Sequence, residues 1–157
     1  PDEMLRQLAS WLLTGAGDEQ GALLRLVGGL WARHGREDVA LAAILLANLD
    51  HSRLGSDPWQ VLASSTRGVE PAEALLLSIE ELLRAGRGMP SEAMLLQWCE
   101  VRAVDAHMAL LASYAGSVRG SEPSASLRSA LASLEVPVGD SLLGRVKQRL
   151  LSPEAQD

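Results

Sequence analysis

The residues of this 157-residue chain best equipped for covalent chemistry are Cys99, its single cysteine, and His107, one of three histidines. A thiol within hydrogen-bonding reach of an imidazole makes a nucleophile and its base. On one continuous helix, eight residues separate them by about 12 Å with a rotational offset of about 80°. Only a break in the helix could bring them together, so Cys99 reads as a packing residue and no catalytic residue is assigned. Trp98, Arg102 and Asp105 follow at three- and four-residue spacing, which suits a cation–π stack and a salt bridge. Val101, Val104, Met108 and Leu111 mark the buried stripe, so the charged pair falls on the solvated face. His34 precedes Glu37 and Asp38, but acidic residues at a helix start offset the dipole and cap free amides. Gly15-Ala16-Gly17 and Gly86-Arg87-Gly88 lack the preceding strand and the Lys-Ser or Lys-Thr of a phosphate-binding loop. The sequence therefore calls for no metal and no cofactor.

The elements that must position these residues are helical. Ala and Leu are abundant, aromatics are four Trp and one Tyr with no Phe, and apolar residues recur at helical spacing. In the first helix Met4, Leu5, Leu8, Trp11 and Leu12 share one face. Asp18 is placed to cap a second helix carrying Leu23, Leu24, Val27, Leu30 and Trp31 up to Gly35. A third runs from Arg36 to Asn48. A short helix from Asp57 to Ala63 holds Pro58 in its first turn, where proline is tolerated. Glu70-Pro71 opens an amphipathic helix to Ala85, Ser91 caps a pattern from Glu92 to Tyr114 that bends or breaks near Cys99, and Gly116 to Ser126 reads as an exposed loop. Two short helices, Ser126 to Leu134 and Ser141 to Leu151, close the chain. The expectation is an all-α domain over residues 1–151 of eight or nine helices, with antiparallel hairpins stacked as a short solenoid or irregular bundle, and a frayed tail at 152–157.

Charge and composition narrow the uses of such a domain. A formal net charge of −6 works against non-specific binding to nucleic acid or to an anionic membrane. No uncharged apolar run approaches the roughly 18–20 residues that span a bilayer, and the opening PDEMLRQ has no signal-peptide pattern. One cysteine permits no intramolecular disulfide, and a reducing cytoplasm is the natural setting.

Leu24, Val27, Gly28, Trp31, Ala40, Ile44 and Ala47 stand at the spacings of a tetratricopeptide hairpin, with Gly35 in the turn and Ser52 where that pattern has Pro. This segment of about 30 residues resembles one such hairpin, in which the small Gly28, Ala40 and Ala47 let two helices approach while Trp31 and Ile44 fill between them. A shift of 34 aligns Ala74 with Ala40 but sets Ser65 against Trp31. Glu100 to Leu110 resembles instead a HEAT-repeat helix. Leu30-Trp31, Arg36-Glu37-Asp38 and Asp57-Pro58-Trp59 are similar to segments of the HEAT-like DNA alkylation-repair glycosylases, whose catalytic Asp position is Ala63 here.

These resemblances imply stacked helices that bind on a continuous surface. The expected function is non-catalytic binding of another protein or peptide, as an adaptor, chaperone or regulator. Trp11, Trp59, Trp98 and Arg102 are the candidate contact residues. The alternatives are a glycosylase relative without its catalytic acid, and a self-associating scaffold.

Overall fold

The computed structural model describes residues 3–137 and 141–152, so the tail expected to fray lies outside them from residue 153 onward. The described residues form ten helices and no strand: α1 (Glu3–Ala16), α2 (Gln20–Arg33), α3 (Arg36–Asn48), α4 (His51–Leu54), α5 (Pro58–Ser65), α6 (Ala72–Arg84), α7 (Glu92–Trp98), α8 (Ala103–Val118), α9 (Ala125–Ala132) and α10 (Leu142–Leu151). The fold is all-α. The count exceeds the expected eight or nine because α4 adds one turn and the chain breaks after Trp98.

Two compact units divide the chain: residues 1–70 with Glu80–Gly88, and Pro71–Ile79 with residues 89–157. In the first unit α1, α2 and α5 pack on α3. Every residue of α3 from Val39 to Ala47 is buried, as expected of a helix apolar on all sides with its charges confined to the first turn. The connection from α2 is two residues. His34 takes the left-handed conformation with φ 60°, and Gly35 is extended. A Cβ on Gly35 would come within 2.5 Å of Asp38 Oδ2, the carboxylate that pairs with Arg33 Nε at 3.2 Å. Glycine thus lets Asp38 fold back over the helix start.

The end of α3 is closed from a distance. Arg87 donates to the carbonyls of Ala47 at 2.8 Å and Leu49 at 2.6 Å, meeting orphan acceptors at a helix C-terminus with a positive charge. Glu70 accepts from the amides of Arg67 at 2.6 Å and Gly68 at 2.9 Å, and from the Trp31 indole at 3.3 Å. Burial pushes the Glu70 carboxyl up, but these bonds outweigh it and hold the group below the ordinary carboxylate range.

In the second unit α8 is the buried helix, packed by α7 and α10, while α9 packs on α7 and α10. Ser91 Oγ caps α7 through the Met94 amide, and Ser124 and Ser141 cap α9 and α10 in the same way.

Residues 45–58 and 110–123 share seven of fourteen residues without a gap: Leu-Leu-Ala, Ser, Gly-Ser and Pro at a spacing of 65. The helix ending is the same in both. Gly55 and Gly120 have φ of +64° and +91°. The Ser56 and Ser121 amides reach back to the His51 and Gly116 carbonyls at 3.1 and 2.8 Å, and the Gly55 and Gly120 amides bond Ser52 and Ser117. This is the Schellman pattern, in which only glycine takes the left-handed position without strain. The agreement in backbone geometry is confined to this glycine ending, since α3 stops at Asn48 with Leu49 extended while the matching residues 113–114 lie inside α8.

Three local expectations are corrected. Gly28 is exposed with nothing within 4 Å of its Cβ position, so it does not mediate close helix approach, although Trp31, Ala40, Ile44 and Ala47 are buried. Asp18 does not cap α2; its carboxylate pairs with Arg53 at 2.8 Å. Gly116 and Ser117 belong to α8, and Gly116 is buried; the loop begins only beyond Val118.

Candidate functional site

Helix α1 is built from good helix formers, with Glu3 in its first turn. It ends before Gly17, whose φ is +53°. Its inward line is Leu5, Ala9, Leu12 and Ala16, with Ala9 fully buried and the others half-buried. Arg6 Nη2 meets the buried Glu81 carboxylate at 2.5 Å, which fixes the rotation of the helix.

With that rotation set, Met4, Leu8 and Trp11 face outward, at 76%, 41% and 70% exposure. At 100° per residue they fall within an arc of about 60° and span about 10 Å along the axis. The sequence grouped these three with Leu5 and Leu12 on one face; the structure splits them. Small Ala9 is the inward contact, and the large side chains go to solvent. Exposed single apolar residues need no explanation, but a Met, a Leu and a Trp at i, i+4 and i+7 repeat the anchor spacing of a helix that docks into an apolar groove. None of the three side chains titrates or acts as a nucleophile, so this stripe offers adaptable apolar area and one indole.

The other candidate residues do not join it. Trp59 is 3% exposed: its backbone N–H donates to Asp57 Oδ1 at 2.9 Å, and its indole donates to the Gly88 carbonyl at 3.0 Å. Asp57-Pro58-Trp59 is thus spent on capping α5 and on the core. Trp98 is likewise buried, as the last residue of α7. Arg102 is exposed at the N-cap of α8, and its guanidinium grips Asp105 through Nε at 2.8 Å and Nη2 at 2.9 Å. Asp105 itself is buried while Val101 is exposed, which corrects those two positions, whereas Val104, Met108 and Leu111 are buried and Arg102 is exposed as expected. The carboxylate faces inward because it also accepts the Arg102 amide, at 3.2 Å.

Cys99 and His107 lie on either side of the break between α7 and α8, and no hydrogen bond joins them. Burial, with the charge of Glu100, pushes the Cys99 thiol up, the opposite of what a thiolate nucleophile requires. Burial pulls His107 down, partly offset by a hydrogen bond with the Glu135 backbone. Among the described residues no group of three or more His, Cys, Asp or Glu could hold a metal ion, and no helix is long and apolar enough to cross a membrane.

Sequence reasoning missed His51. Its ring is buried, with Nδ1 2.8 Å from Ser56 Oγ and Nε2 2.7 Å from the Leu46 carbonyl. Burial is the main cause that pulls its pKa down, with the Arg87 charge adding to it. The Gly-Ser pair recurring at 120–121 was the signal that could have placed it at a helix ending.

The chain matches no protein-family model, no curated protein and no solved structure.

Proposed function

We propose that the protein is a non-catalytic protein- or peptide-binding domain of the cytoplasm, and that α1 is its docking helix. The supporting observation is the outward stripe of Met4, Leu8 and Trp11 on a helix whose opposite face is already anchored by Ala9 and Arg6. The partner is a protein with an apolar groove that takes three side chains of one helix face. Such anchors dominate binding energy when they enter a desolvated pocket.

The test is photocrosslinking with benzoylphenylalanine in place of Trp11, with Gln7, exposed on the same helix, as the control position. A discrete adduct formed from position 11 and lost when Met4 and Leu8 are both changed to Ser supports the proposal. Equal labelling from both positions refutes it. Light scattering on the unmodified chain identifies a second copy as the partner when the mass is a higher multiple of the 16.7 kDa monomer and Trp11→Ala returns it to the monomer.

A further inference from the structure

The His51 ring is buried between the end of α3, which supplies the Leu46 carbonyl, and the turn after α4, which supplies Ser56. A carbonyl oxygen only accepts, so Nε2, 2.7 Å from it, carries the ring proton. In the neutral ring Nδ1 is then a bare acceptor, and the Ser56 hydroxyl donates to it at 2.8 Å. A serine that gives its proton to an imidazole held in this tautomer has the arrangement of a nucleophile and its base.

The backbone fixes both partners. The Ser56 amide donates to the His51 carbonyl at 3.1 Å, the His51 amide donates to the Leu49 carbonyl at 3.1 Å, and Asp57, next in the chain, caps α5. On the other side of Ser56, Gly55 is exposed with nothing within 4 Å of its Cβ position, which leaves an open approach beside the half-buried serine. The Gly120-Ser121 ending supplies an internal comparison. Ser121 bonds back to Gly116 as Ser56 does to His51, and it is the more exposed serine, but Gly116 has no side chain to serve as a base. The two serines share a turn and differ in the imidazole.

The surroundings of the ring set the strength of this base. Burial opposes an imidazolium most, the Leu46 carbonyl favours it, the Arg87 charge opposes it, and Asp57 and Asp50 favour it. The balance holds His51 below the ordinary imidazole value, so the ring is neutral at pH 7 and free to accept a proton. A base this weak assists attack only where the group displaced is itself a stable anion. We propose that Ser56 is a site of covalent O-acylation by small acyl donors whose leaving group is the anion of a weak acid. Ser56 Oγ bonds to the acyl carbon as its proton passes to His51 Nδ1, the bond from that carbon to the leaving oxygen breaks, and the proton is then released to the departing anion or to solvent. Serine is a poorer leaving group than the one displaced, so the ester persists, and the step is a modification and not a turnover.

Incubation of the full chain with 4-nitrophenyl acetate, with acetylated residues mapped and timed by tandem mass spectrometry, tests this. Ser56 is expected to react about 100-fold faster than Ser121, the low end of what a positioned base contributes. Its rate should level off above pH 6.5, where His51 is neutral, and fall as the pH drops through the folded value of the ring, whereas Ser121 shows no such plateau. His51→Gln, which keeps a polar side chain but removes the base, should bring Ser56 down to the rate of Ser121. Equal rates at the two serines in the parent chain, or no acetylation of Ser56, overturn the proposal. So does a Ser56 rate that lacks the fall in acid, or one unchanged in a folded His51→Gln chain. Where His51→Gln fails to fold, the ratio of the two serines in the parent chain and its pH profile decide.

Discussion

Replacing Trp11 separates surface from core because the other three tryptophans, Trp31, Trp59 and Trp98, are 2%, 3% and 5% exposed, against 70% for Trp11. A Trp side chain buries about 150–250 Å² when fully covered, so the exposed part of Trp11 offers roughly 100–175 Å² to a partner. At about 25 cal/mol per Å² that is about 2.5–4.5 kcal/mol. Ordering the side chain takes back about 0.5–1.5 kcal/mol, leaving about 1–4 kcal/mol, or about 5- to 900-fold in Kd. The part already covered contributes about 1 kcal/mol to the fold, so Trp11→Ala lowers Tm by about 2–4 °C. Iodide quenching provides a check that needs no partner: one accessible tryptophan component is expected in the parent chain, and Trp11→Phe removes it. If quenching persists in Trp11→Phe, or if Trp11→Ala costs the roughly 3–5 kcal/mol typical of a core tryptophan, the assigned rotation of α1 is wrong.

Arg87→Met keeps length and apolar stem but strips two carbonyls at the end of α3 of their charged donor, and should cost about 2–3 kcal/mol, read as a lower urea midpoint at unchanged slope; an unchanged midpoint would mean that water serves those carbonyls equally well. His34→Gly removes a non-glycine residue from the left-handed region at φ 60° and should raise stability by about 0.5–1 kcal/mol; a loss instead would show that the imidazole makes contacts worth more than the strain. His51 and His107 are both pulled below the ordinary imidazole value of 6.5. The unfolded chain then binds more protons than the folded one just below that pH, so Tm should be flat above it and fall as the pH drops toward the folded values. His51→Gln should reduce that slope without abolishing it, because His107 remains. The depressed Glu70 adds a second fall, beginning as the pH drops below its ordinary 4.5 and continuing through its folded value, and Glu70→Gln should remove it.

Much of the fold was legible because its causes are local. Asp57-Pro58 and Ser91 announce helix starts through side-chain acceptors and a preset φ, and the structure uses them as such. The apolar run in α3 is dense enough to require burial on every side. The break near Cys99 was legible as a weakness, and Asp105 reveals its form by turning inward to hold both the backbone and the guanidinium of Arg102. The recurrence at 65 was hard to read because Leu-Leu-Ala is common in a chain this rich in Leu and Ala, and the distinctive Gly-Ser and Pro identities lie at a helix ending and the residues just beyond it.

The candidate sites were less legible. Trp11, Trp59 and Trp98 are equivalent as letters, yet only one reaches solvent, and no local rule distinguishes them. By itself the sequence determined that the chain is helical, where most helices begin, and that Met4, Leu5, Leu8, Trp11 and Leu12 occupy one side of the circumference of α1. The tertiary structure decided which part of that circumference is covered. Ala9 settles against the core because small residues permit close packing, and Arg6 finds Glu81 across 75 residues of chain, so that Met4, Leu8 and Trp11 are left outside.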